Sequence, residues 1–177
     1  MKNKSKGIRL NNVIFPLYMI MLLSPYMWLI MLAGNFLIDS LVLIVSGRLR
    51  KIRNMHEIWK KSILKVFLFG FLSDLIGCLI NSILFILLSI TLPDLLSGIN
   101  FYFWPGCAIE AIPTVLIAGW LIYLFNKKWS FSKTDLDTGT KKKLALGLAV
   151  FTAPYIMFAP MDFLDGLLTA IGRLFGS

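Results

Sequence analysis

Apolar residues in this chain do not alternate with polar ones. They form long runs, broken by basic clusters and a few prolines. Runs at about 9–24, 28–47, 62–90, 101–126 and 142–159 predict an all-α, polytopic integral membrane bundle of about five transmembrane helices, within a range of four to six. Helices are the expected form because each one satisfies its own backbone hydrogen bonds in hydrocarbon. The apolar stretch 13–47 is flanked on both sides by Lys and Arg, so it predicts a helical hairpin rather than one straight span. Ser24–Pro25 is the expected turn, since proline disfavours helical geometry in the residue before it and lacks a donor. The first arm, 9–24, contains Pro16 and is short for a span; the second, 28–47, covers the hydrocarbon. The last run is expected to break near Pro154 and to end at Pro160. From 162 to 175 the pattern changes to a helical period. Phe163, Leu164, Leu167, Leu168, Ile171, Leu174 and Phe175 share one face, and Asp162, Asp165, Thr169 and Arg173 the other. That spacing predicts an amphipathic helix lying on the membrane interface, capped by Asp162. The whole of 1–177 reads as a single transmembrane domain.

Composition narrows the class further. With 58% apolar residues, 14 Phe and only 15% charged residues among 177, a water-soluble domain is excluded. The mean hydropathy of +0.79 says the same. A net charge of +9 raises the question of nucleic acid, and placement answers it. Every Lys and Arg except Arg173 falls in one of three blocks, at 2–9, 48–65 and 127–143, while the stretch TLPDLLSGIN at 91–100 has none. By the positive-inside rule the blocks and the N-terminus are cytoplasmic, the membrane is the plasma membrane and 91–100 is outside. The charges lack the aromatic interleaving of nucleic-acid modules. Their expected partners are the lipid bilayer and the anionic lipid head groups facing the basic loops. A membrane-protein partner or homo-oligomerisation is compatible with such a bundle. Tyr26, Trp28, Tyr102, Trp104 and Trp129 fall near the expected interfaces. The basic start resembles a signal-peptide n-region, but the apolar run continues past an h-region with no A-x-A-like site, so cleavage is not expected.

Three spans each carry one acid: Asp39, Asp74 and Glu110. A carboxyl group inside a bilayer costs roughly 2.5–3.5 kcal/mol on insertion scales, so it faces a partner helix or a watery cavity rather than lipid. Gly70, Asp74, Gly77 and Asn81 form a stripe on their helix; Asn35, Asp39 and Ser46 share a face on a second, and Cys107, Glu110, Thr114 and Ala118 on a third. Counting inward from the basic ends, Asp39 and Asp74 fall at similar depth, about 12 Å into the hydrocarbon, and Glu110 nearer the outer face. Arg48 and Lys65, the nearest cations in sequence, are each more than two helical turns away. Two carboxyl groups in a poorly solvated site either share a proton or hold a cation. The expected function is therefore a small transporter or transporter subunit. It would bind a proton, cation or small polar solute at Asp39 and Asp74, with Asn35, Asn81 and Glu110 as further candidates. The alternative is a non-catalytic scaffold or accessory subunit, in which a protonated Asp simply bonds a neighbouring helix, for about 0.6 kcal/mol on average.

Other chemistry finds little support. His56 stands alone beside Glu57 in the basic loop RNMHEIWKK, and Cys78 and Cys107 lack C-x-x-C spacing, so no metal site or redox pair is expected. Asp135 and Asp137 lack the remaining ligands of a calcium loop. No hydrolase, zincin, P-loop or dinucleotide motif occurs, so no catalytic residue and no cofactor is assigned and enzymatic activity is not expected. Size and span number are similar to those of the small substrate-binding subunits of energy-coupled bacterial vitamin and metal importers. The first arm, NVIFPLYMIMLL, departs from them in lacking their small-residue docking motif, so no family is assigned, and the chain reads as an uncharacterised bacterial membrane protein.

Overall fold

The computed structural model describes residues 25–100 and 103–160, together with 163, 166, 169, 170 and 173. Among these residues the fold is helical and without strands. Helix α1 is described over Pro25–Leu49. The connection 50–54 turns the chain back through two left-handed residues, Lys51 (φ 54°) and Asn54 (φ 59°). Arg50 fixes this turn: its guanidinium donates to the carbonyl of Ser46 at 2.8 Å and to that of Lys143 at 3.1 Å. Helix α2, Met55–Thr91, is 37 residues long. It starts earlier than the predicted 62, so His56, expected in a loop, lies on its first turn with its ring stacked on Trp59. A helical turn, Pro93–Ser97, leads toward α3, Gly106–Phe125, which widens into a π-helical turn at Asn126–Ser130.

Helix α4, Thr138–Thr152, differs from the predicted 142–159 at both ends. It starts at Thr138 because Asp137 caps it, accepting from the Thr140 amide at 2.9 Å. It stops at Thr152 because Pro154 pushes Ala153 out of helical geometry, to φ −59° and ψ 154°. The 3₁₀ turn Tyr155–Phe158 then folds back onto α3. Three segments are long and apolar enough to cross a membrane: Trp28–Leu49, Met55–Thr91 and Gly106–Ser130. At 15 residues, or about 22 Å, α4 is shorter than the hydrocarbon core. The predicted first arm, 9–24, lies outside the described residues. In the predicted tail helix, Phe163, Gly166, Thr169, Ala170 and Arg173 are helical and exposed, and the rest of its amphipathic pattern lies outside the described residues.

The apolar core sits toward the basic end. Leu43, Ile63, Val66, Ile122, Phe131, Leu144 and Leu148 bury their side chains there, drawn from all four helices and the turn after α3. Many large apolar side chains point outward instead, among them Leu41, Leu64, Leu68, Leu87, Leu116 and Phe151. Such a continuous apolar exterior needs lipid rather than water around it. Helix α2 comes close to α3 at Gly77, where an added Cβ would stand 3.0 Å from the Thr114 carbonyl oxygen and 3.1 Å from the Ala118 Cβ.

Gly77→Ala is therefore expected to destabilise the protein by about 1–3 kcal/mol. Gly34→Ala is the control, since nothing lies within 4 Å of its added Cβ. It should leave the melting temperature in detergent unchanged or raise it. Equal effects at the two positions would contradict the packing. At α4, the hydrogen bond from Thr140 holds the Asp137 carboxyl below the usual carboxylate range. A depressed carboxylate contributes stability that is complete above its unfolded pKa and is lost as pH falls through the folded value. Protection of the Thr140 amide from hydrogen exchange should thus fall in acid in the wild type, vary little with pH in Asp137→Asn, and be low throughout in Asp137→Ala.

Candidate functional site

Asp39 is 5% exposed, on the face of α1 that meets α2 and α4. Its Oδ2 lies 3.4 Å from the point where a Cβ on Gly70 would stand, so the missing side chain of Gly70 leaves room for the carboxyl group. From α4 the Thr152 hydroxyl shares a hydrogen bond with it. Asp74 is one turn beyond Gly70 on α2, and its carboxyl group interacts electrostatically with that of Asp39. The two aspartates read from the sequence as neighbours are thus brought together. The Oδ1 of Asp74 is buried without a hydrogen-bond partner among the described residues.

The remaining candidates lie further out. Asn81 is two turns along α2 from Asp74, about 10 Å away. It is buried, and its Nδ2 donates to the Glu110 carbonyl at 3.0 Å. Glu110 therefore joins the seam through its backbone, with its side chain half-buried on α3. Asn35 is half-buried, one turn before Asp39 on α1.

Most donors around the acids are already engaged. Ser73 gives its hydroxyl proton to the Phe69 carbonyl at 2.6 Å, Ser82 to Cys78 at 2.9 Å and Thr152 to Leu148 at 2.9 Å. This back-bonding to the residue four earlier is a common resting state for Ser and Thr in helices. A hydroxyl that has donated its only proton can offer Asp39 nothing but lone pairs. Ser40 and Thr114 are buried with hydroxyls that have no partner among the described residues, so they retain donors. Carboxyl and hydroxyl oxygens are hard ligands, suited to a proton or a cation that prefers oxygen. Among the described residues no three His, Cys, Asp or Glu side chains converge as a metal site would require. Thr152 and Ser73 escaped the sequence reading. The only signals were a threonine four residues after Leu148, on a run read as a transmembrane span, and a serine adjacent in sequence to Asp74.

The cysteines lie apart from the acid pair's chemistry. Cys78 Sγ is 3.8 Å from Met157 Sδ, and Cys107 Sγ donates to the Phe158 carbonyl at 3.7 Å, so both help to seat the 3₁₀ turn. The basic blocks at 48–65 and 127–143 meet at one end, joined by the bond from Arg50 to Lys143 and by the one from Lys65 Nζ to the Trp129 carbonyl at 3.3 Å. Comparison of the chain with protein-family models, with curated proteins and with solved structures finds no match.

Replacing Asn81 with Leu removes the one side-chain donor that ties α2 to the Glu110 carbonyl. A loss of about 0.6 kcal/mol is expected, with about 1.7 kcal/mol as the upper bound for such interhelical bonds. Chemical denaturation of Asn81→Leu and Asn81→Asp in the same detergent would check this. Full stability in both variants would show that the bond contributes nothing.

Proposed function

We propose that this protein is a small transporter or transporter subunit that takes a proton, a cation or a small polar solute at Asp39 and Asp74. On this reading it is a multi-pass protein of the plasma membrane, with its basic end in the cytoplasm. The observation that carries the proposal is the buried Oδ1 of Asp74, without a hydrogen-bond partner among the described residues and beside the carboxyl group of Asp39. A polar atom in that state carries the full cost of its desolvation unless something binds it. The engaged hydroxyls of Ser73 and Thr152 favour a positively charged occupant over one that needs donors.

A second reading, a scaffold or accessory subunit, draws on the bond from Asn81 to the Glu110 carbonyl, which ties two helices together with no ligand involved. The readings separate on a melting experiment with purified protein in detergent. Wild type, Asp39→Asn and Asp74→Asn would be compared across pH and a panel of monovalent and divalent cations. Transport predicts a wild-type melting temperature that rises with one cation or with protonation, and a response that is absent in both variants. Flat responses with lower stability in both variants would refute the transporter reading and leave the acids as structural groups.

A further inference from the structure

A second site is built where α2 meets the end of α3. Phe69, Phe125 and Trp129 form a three-ring cluster, with centroids 5.5 Å apart for Phe69–Phe125, 5.5 Å for Phe69–Trp129 and 5.1 Å for Phe125–Trp129. Trp129 is 42% exposed, so the cluster reaches the outer surface of the bundle. Two cations lie beside Trp129, one at its ring and one at its backbone carbonyl. Lys128 Nζ lies 5.2 Å from the Trp129 ring centroid, and Lys65 Nζ is held at 3.3 Å from both the Trp129 carbonyl and the Ser132 Oγ. An ammonium has three donors, so Lys65 keeps one after these bonds. The neighbouring Lys127 lies over Tyr123 at 5.4 Å.

The order of these groups along the helices matters. Phe69 is one turn from Lys65, and Phe125 one turn from Trp129, both toward the middle of the apolar segments. A layer of positive charge with an amphipathic indole therefore sits directly above a layer of aromatic hydrocarbon. A phospholipid has the matching order, with an anionic phosphate above an acyl chain. Tryptophan favours the interface, and lysine stems reach along apolar surface to place their charge there.

We infer that the surface where α2 meets the end of α3, at the basic end, binds an anionic phospholipid, with its phosphate between Lys65 and Lys128 beside Trp129 and an acyl chain on Phe69 and Phe125. This site is independent of the acid pair. Its occupant differs from the general attraction of basic loops to an anionic surface in being held at one position.

The test uses full-length protein in nanodiscs of phosphatidylcholine with a minor fraction of phosphatidylglycerol. In a variant that keeps Trp129 and carries Phe at Trp28, Trp59, Trp104 and Trp120, Trp129 fluorescence would be quenched by brominated phosphatidylglycerol or, at equal fraction, by brominated phosphatidylcholine. Preferential quenching by the anionic lipid is expected. Lys128→Gln should reduce the anionic preference roughly fivefold, as one basic residue near the surface would. Lys142→Gln, on α4, should leave it unchanged. Native mass spectrometry of Lys128→Gln and Lys142→Gln in an otherwise wild-type background reads the same preference from retained lipid and does not depend on the tryptophan replacements folding. Equal quenching by the two lipids, or equal losses from Lys128→Gln and Lys142→Gln, would overturn the inference, the second by showing only a diffuse surface effect.

Discussion

The contact at Gly77 decides what the interior of this bundle can be. With no side chain there, the backbone of α3 at Thr114 and Ala118 comes within van der Waals reach of α2. Two helices that close can exchange a backbone-directed hydrogen bond one turn further on, where Asn81 meets the Glu110 carbonyl. In lipid there is no hydrophobic force to bring helices together, so small residues and close packing must do it. Gly70 makes the same kind of room toward α1, and there the space is filled by the carboxyl group of Asp39 rather than by backbone. The two glycines therefore place a structural contact and an acid two turns apart on one helix.

Accounting for donors explains why the Asp74 Oδ1 finds no partner among the described residues of a bundle otherwise rich in hydrogen bonds. Ser62, Ser73, Ser82, Ser89, Thr91 and Thr152 all return their protons to carbonyls four residues earlier. Each bond is local and independent of neighbouring helices. The polar positions that look from the sequence like interhelical links are mostly closed within their own helix. Asn81 is the exception, because an amide reaches further than a hydroxyl and has two protons to give.

The helical spans were legible because uninterrupted apolar runs have no other use in a chain of this composition, and three of them correspond to long helices. The pairing of Asp39 with Asp74 was legible too, because basic blocks mark the membrane surface and depth can be counted from them at a fixed rise. Boundaries were harder. Met55–Lys61 is charged and reads as a loop, yet it continues α2, since nothing in NMHEIWKK breaks a helix once Asn54 has turned the chain. The π-helical turn at Asn126–Ser130 has no sequence signature, and the return of Tyr155–Phe158 onto α3 depends on where Pro154 points the chain. Thr152 enters the site only because α4 ends early enough to leave it beside Asp39, which no periodicity along its own segment could reveal.

Position along the four helices links the apolar core to the acids. Asp39 is one turn from Leu43, Gly70 one turn from Val66 and Thr152 one turn from Leu148, and each of those three apolar residues is no more than 1% exposed. On α3, Ala118 and Thr114 follow Ile122 at the same spacing, again from a residue 1% exposed. Every helix thus passes from sealed apolar packing to the polar seam within a single turn, and the sealed layer lies on the side of the basic end. A close-packed layer of Leu, Val and Ile offers water no partners, so it separates the acids from the charged surface below. On the proposed reading, exchange of a proton or cation with solvent would run toward the opposite end, past Asn81 and the 3₁₀ turn that Cys78 and Cys107 hold against α2 and α3. If the basic end is cytoplasmic, as proposed, that route leads outside, and a transport cycle would require the Leu43, Val66, Ile122 and Leu148 layer to part.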